Sequence, residues 1–328
     1  MPARPALLVP GLLALLVLAT TSCAPPDPPR VYAPPQADVS FSAPGLYPEG
    51  VAFDPTTNGF FVSSLRTGAV GRVMPDGTYE LFAEPGLLVS TQGMAVDAAR
   101  GRLLVVGGDL GVGERSSAAT QEKQAGLGIY DLATGARLAY YALDTLVPGR
   151  RRHANDLALG ADGTAYVTDS FAGVIYQVTR YGGAAVLAES PEFASEGVGL
   201  NGIAVHPDRF LLAAHSESGR LVRVGLDTAT VERVALPEAL VGADGLVLLS
   251  PDSLVVVQNE GHDRTLLLHS DDGWRSATVA AEVPSPLPFP TTAVRAGGAV
   301  YVLNAKLEEL FDPQGTRSSG FLLQRVTF

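Results

Sequence analysis

The sequence predicts an all-β fold, a six-bladed β-propeller with four-stranded blades, and three observations predict it. One short phrase returns six times, each copy joins an apolar run through a turn to a second β-branched or aromatic run, and no long segment keeps apolar residues at helical spacing. Composition agrees, because only 17% of the 328 residues are charged while 36 Gly and 24 Pro supply the turns between many short buried strands. Length alone does not split the chain, since all-β propellers of this size form one domain.

The N-terminus comes first in the chain and reads as a targeting segment over residues 1–23. Arg4 is its positive region and Ala6 to Ala19 its apolar region, broken by Pro10 and Gly11 and short of the roughly 20 residues that span a bilayer. It ends in Leu-Ala-Thr-Thr-Ser-Cys, which resembles a bacterial lipobox with Thr20 where Leu is usual, so Cys23 is the expected lipidation site. A plain cleaved signal and an uncleaved anchor are the alternatives, and each of the three exports the domain. The expected location is therefore a periplasmic or cell-surface lipoprotein, held to a membrane through its anchor. Residues 24–38, with Pro25, Pro26, Pro28, Pro29, Pro34 and Pro35, form a stiff spacer ahead of the propeller expected over 39–328. Cys23 is the only cysteine, which excludes an intrachain disulfide.

The repeats follow as EGVAFDPTTNGFFVSS, QGMAVDAARGRLLVVGG, NDLALGADGTAYVTDS, NGIAVHPDRFLLAAHS, DGLVLLSPDSLVVVQN and TTAVRAGGAVYVLN. Their second residues, Gly50, Gly93, Asp156, Gly202, Gly245 and Thr292, are spaced by 43, 63, 46, 43 and 47. In the third copy the turn Ala161-Asp162-Gly163 leads into a strand over Thr164 to Thr168, and Val174 to Val178 gives a third strand after Gly173. A weaker fourth strand completes a blade on a pitch of about 40–50 residues. The spacing of 63 holds an insertion from Gly111 to Gly126, rich in polar residues such as Glu114, Arg115, Gln121, Glu122 and Lys123, which reads as a surface loop. The last segment, Gly320 to Phe328, is expected to join a blade begun elsewhere in the chain and so close the ring.

A formal charge of −11 argues against a nucleic-acid partner, whose binding draws on phosphate neutralisation. The residues just before the six apolar runs are more informative: Glu49, Gln92, Asn155, Asn201, Asp244 and Thr291 all carry a side-chain oxygen. Innermost strands line a propeller's channel, so these six are expected at one height around the axis. Oxygen donors with two carboxylates and no thiol or imidazole suit a hard cation, Ca²⁺ ahead of Mg²⁺ because amides and open geometry favour a large shell. The same residue types also recur before strands as simple turn formers.

The phrases PEGVAFD, HANDLALGADGTAYVTDS, GLNGIAVHPD and ADGLVLLSPD resemble the gluconolactonase and regucalcin family of six-bladed propellers, relatives of diisopropyl fluorophosphatase and paraoxonase. The resemblance runs from about Tyr47 onward. It implies that Glu49, Asn155, Asn201 and Asp244 bind one divalent cation, Ca²⁺ or alternatively Zn²⁺, Mn²⁺ or Mg²⁺, and that Asp244 is the general base or nucleophile of a hydrolase of lactones or esters. Gln92 and Thr291 are expected on the wall of the substrate pocket. Sugar-lactone hydrolases of the family often place Arg two residues before the third-blade Asn. Here His153 stands there, behind Arg150, Arg151 and Arg152, either as a pocket residue and proton shuttle or as the solvated end of that basic run. A non-catalytic cell-surface binding propeller with a structural cation is the alternative function. A small-molecule substrate and a monomeric state are expected.

Overall fold

The structure, a computed structural model, describes residues 1–2, 33–312, 314 and 317–328. The targeting segment, its Cys23 and the first part of the Pro-rich spacer lie outside the described residues. Among the described residues no helix is long and apolar enough to cross a membrane.

Six four-stranded antiparallel sheets make the predicted six blades. Five are contiguous meanders, as in blade three, where Ala154–Leu159, Ala165–Asp169, Val174–Val178 and Ala184–Glu189 run from channel to rim. In blade three the second and third strands lie close to the Thr164–Thr168 and Val174–Val178 runs expected from the sequence. Strands dominate because each sheet is buried on both faces by its neighbours, so alternate side chains serve opposite seams. In Arg102–Gly108 of blade two, Leu103 and Val105 pack toward blade one, whereas Leu104 and Val106 pack toward blade three. The buried apolar residues among those described fall accordingly into six clusters, one in each seam between adjacent blades. No single central core exists, which leaves the axis free for a channel.

Closure differs from the expectation for Gly320 to Phe328. That segment supplies Gly320–Val326, the third strand of blade six, directly after that blade's own Pro290–Ala296 and Ala299–Asn304. The strand that arrives from elsewhere is Val39–Ser42, which pairs antiparallel with it, Phe41 opposite Phe321. Its alternating pattern explains the placement: Val39 and Phe41 are buried in the blade-six to blade-one seam while Ser40 and Ser42 face out. The N-terminal strand thus covers the rim edge of the last blade and ties the two ends of the ring together.

The insertion between the second and third strands of blade two is a pinned surface loop. The Asp109 carboxylate, fully buried, accepts bonds from Gly111 N (2.7 Å), Ser116 Oγ (2.8 Å) and Thr120 Oγ1 (2.7 Å). Glu122 pairs with Arg151 of the third blade's entry at 2.6 Å, and Leu110 and Val112 pack against the blade-one cluster. The loop therefore bridges three blades beside the channel mouth.

Candidate metal centre

The innermost strands approach so closely at their first residues that backbone meets backbone. A Cβ on Gly50 would lie 2.1 Å from the Gln92 carbonyl oxygen, and one on Gly202 would lie 2.1 Å from that of Asp244. Glycine there is a consequence of ring closure, not of turn preference. Between these contacts Gly93 N donates to the Asn155 carbonyl at 2.9 Å, and Thr291 Oγ1 donates to the Glu49 carbonyl at 2.7 Å.

Bulges then aim the side chains. Blades three, four, five and six each break strand register at the ring, between Ala154 and Leu157, Leu200 and Ile203, Ala243 and Leu246, and Pro290 and Ala293. An extra residue in one strand re-aims its neighbour, and here it turns Asn155, Asn201 and Asp244 along the axis instead of into a seam. Glu49 and Gln92 reach the same place from just ahead of their strands. Glu49, Gln92, Asn155, Asn201 and Asp244 consequently line one cavity of about 120 Å³ at the channel mouth.

Partners within the ring are selective. Asn259 Nδ2 donates to Asp244 Oδ2 at 2.6 Å, and Asn155 Nδ2 donates to Ser170 Oγ at 3.0 Å. The Asn155 amide nitrogen is thereby committed to Ser170. The Oδ1 atoms of Asn155 and Asn201 and Oε1 of Gln92 are buried without a hydrogen-bond partner. Unpaired buried acceptors are costly, about 1–3 kcal/mol each, unless something positive meets them.

Charge points the same way. Burial, then the nearby charges of Asp244 and Asp156, push the Glu49 carboxyl well above the usual carboxylate range. Asp244 is raised likewise by burial and by Asp156, with the Asn259 bond in partial opposition. Among the described residues, no Lys or Arg lines the cavity. The described residues hold no cluster of three His, Cys, Asp or Glu side chains fit for a metal, so the cation reading rests on mixed amide and carboxylate oxygens. Such a set, with three orphaned amide oxygens and two crowded carboxylates, fits a hard divalent ion.

The structure does not bring every expected residue to this cavity. Thr291 is buried and occupied by its bond to the Glu49 carbonyl, so it braces the ring and does not line the mouth. His153 is neither solvated nor in the cavity lining. Its fully buried ring packs against Phe171 at 5.7 Å with both nitrogens unpartnered, and burial pushes its pKa down to about 4 against the pull of Asp109 and Glu122. The basic run ahead of it is not free either: Arg151 holds Glu122 and Arg152 bonds the carbonyls of Lys123 and Val147.

Asp156 is the site residue that the sequence reading passed over. Its carboxylate accepts Leu157 N at 2.8 Å and Ile203 N at 3.3 Å, lines the channel below the ring, and is pushed up to about 7 by burial. The available signal was its place in the repeat, where four of the other five copies carry Gly.

No protein-family model matches the sequence, and no curated protein matches it. Solved structures do. The Malassezia sympodialis allergen Mala s 1 superposes with a TM-score of 0.70 at 16% identity, over 89% of this chain and 96% of its own. A luciferin-regenerating enzyme gives 0.61 at 14% identity over 89% and 97%, and a gluconolactonase from Xanthomonas campestris 0.59 at 18% over 92% and 95%. The chain is a six-bladed β-propeller of the fold shared by the gluconolactonase and the luciferin-regenerating enzyme.

Proposed function

We propose that the chain is an exported hydrolase of lactones or related esters that depends on a divalent cation, Ca²⁺ in preference, held by Glu49, Asn155, Asn201 and Asp244. The observation that carries the proposal is the convergence of unpaired amide oxygens and two carboxylates on one cavity that, among the described residues, no basic side chain lines. Bound there, the cation supplies Lewis acidity that polarises the substrate carbonyl. Asp244 takes a proton from the attacking water as the water oxygen bonds the carbonyl carbon. The same carboxyl returns the proton to the departing alkoxide when the C–O bond breaks. Asn259, donating to Oδ2 at 2.6 Å, holds the Asp244 carboxylate in place for that transfer. Gln92, with its free Oε1, orients water or substrate from the wall.

Metal content and thermal unfolding of the purified chain, with chelator and with added Ca²⁺, test the ion. Stoichiometric Ca²⁺ and a midpoint that falls on chelation are expected. Asp244→Asn keeps an oxygen ligand while removing the base, so kcat should drop about 10²- to 10⁴-fold with fold and metal retained. The second reading is a non-catalytic binding propeller in which the same oxygen set holds a structural cation. Unfolding of Asp244→Asn, with no turnover by the parent chain, would select it. Export and anchoring at Cys23 belong to the same proposal, and loss of lipid labelling in Cys23→Ser tests them.

A further inference from the structure

We infer that the mouth takes a small, uncharged ring ester bearing an alkyl or aryl substituent, with Leu110, Phe289 and Phe311 as its specificity-determining side chains; this rests on the hydrolase reading above. Besides the ring residues and Ser216, Asn259 and Glu260, the cavity is lined by Leu65, Leu110, Val198, Phe289, Leu307 and Phe311. A hydrocarbon substituent laid on those apolar side chains would leave water for them, whereas a hydroxyl set against them would lose its water without gaining a partner there.

Charge disfavours an anionic substrate. Glu260 joins Glu49 and Asp244 in the lining, so three carboxylates outweigh the two charges of a divalent ion. Arg66 is paired with Glu114 and Arg151 with Glu122, whereas Lys306, beside Leu307, donates to the neutral Ser318 hydroxyl at 3.4 Å and is not among the lining residues. Among the described residues, none in the wall carries a positive charge to meet a carboxylate or phosphate.

The apolar lip is held in place. Phe289 has φ +56°, a backbone region that bulky residues avoid, and its N–H donates to Asp263 Oδ1 at 3.1 Å while its carbonyl accepts Ala305 N at 3.1 Å. That conformation sets its ring 6.2 Å from Phe311, at the end of the one-turn helix Glu308–Phe311. Phe311 remains 44% exposed, an aromatic ring at the entrance with solvent on one side. Leu110, which packs against the same buried cluster as Phe289, follows Asp109 and its three bonds. Size limits the ring: about 120 Å³ is a little less than the roughly 150 Å³ apolar cavity that admits benzene. A five- or six-membered lactone fits, and its substituent must run out along Phe311.

The test is kcat/KM of the Ca²⁺-loaded full chain on γ-lactones with methyl, propyl and pentyl substituents, beside glucono-δ-lactone. The rate constant should rise about fourfold per added methylene until the chain clears Phe311, with gluconolactone at least about tenfold below the pentyl lactone. Phe311→Ser should flatten the rise. A flat series, or gluconolactone as the best substrate, overturns the inference while leaving the hydrolase reading intact. If no lactone is turned over, the hydrolase reading fails, and calorimetric titration with 2-alkylcyclopentanones, which lack the scissile bond, decides the mouth. A Kd that falls with chain length supports the apolar mouth, and absent or flat binding overturns it.

Discussion

The two cavities that meet at the ring are built by different parts of the blades. Below it the channel encloses about 340 Å³ walled by inner-strand side chains such as Phe53, Val96, Leu157, Leu246 and Ala293. Above it the mouth is smaller, and its wall comes from connections: Leu65 in blade one, Leu110 in the insertion, Val198 before blade four, Phe289 before blade six and Phe311 after its second strand. Strand positions must satisfy the ring packing in every blade, so the lower wall is nearly uniform. Connections carry no such constraint and differ from blade to blade, which places selectivity in the mouth. The ring itself is the shared floor, and the largest effects are expected there.

Gly202→Ala tests that floor most severely. The new Cβ would meet the Asp244 carbonyl at 2.1 Å, a backbone contact that no rotamer relieves. A loss of about 3 kcal/mol is expected, seen as a lower midpoint in thermal and urea unfolding. Gly320→Ala is the control, because nothing lies within 4 Å of its Cβ position, and it should stay within about 0.5 kcal/mol. Equal behaviour of the two variants would mean that the inner strands can yield, and that the cavities are not separated by a rigid ring.

Asp109→Ala should come next, at about 1–3 kcal/mol, because it strips acceptors from Gly111 N, Ser116 Oγ and Thr120 Oγ1. Faster amide exchange confined to residues 110–124 is the expected readout. Exchange that quickens equally in the inner strands would break the separation between a mouth built by loops and a channel built by strands.

Chelation sharpens the comparison through pH. Glu49, Asp244 and Asp156 have carboxyls raised in the fold above their unfolded values, so the folded chain holds protons that the unfolded chain has released. Their contribution to stability is fully present below about pH 4 and lost as pH rises toward and past about 7. The chelated protein should therefore lose a few degrees of midpoint between pH 5 and 8, roughly the effect of 1–2 kcal/mol. Bound Ca²⁺ should abolish that slope. A slope that is the same with and without Ca²⁺ would place the ion away from these carboxylates.

Blade number and the ring were legible in the sequence because both recur at fixed offsets. An apolar run preceded by an oxygen-bearing residue marks every inner strand, so Glu49, Gln92, Asn155, Asn201 and Asp244 could be placed at one height before any coordinate. Thr291 obeyed the same offset, yet its short hydroxyl reaches the Glu49 carbonyl instead of the cavity. Features outside the repeat were not legible. The closing strand Val39–Ser42 is four residues long and pairs with Phe321 across nearly the whole chain. His153 follows three arginines, a context that suggested solvent, but the insertion captures Arg151 and leaves the imidazole enclosed. Phe289, Leu307 and Phe311 share no repeat position, so nothing in the sequence gathered them into one wall.

The smallest effect is expected at the far end of the channel. Arg295 lines the lower cavity, is exposed, and donates only to the Leu249 carbonyl at 3.2 Å. Arg295→Gln shortens the side chain without touching a seam, so stability should move by less than about 0.5 kcal/mol. If chemistry is confined to the mouth, kcat/KM should also stay within about twofold, since a screened surface charge across the ring adds little to the field at Asp244. A tenfold change would require substrate, product or a proton to pass Arg295. The lower channel, with Asp156 at its upper end, would then be a working conduit and not a uniform wall.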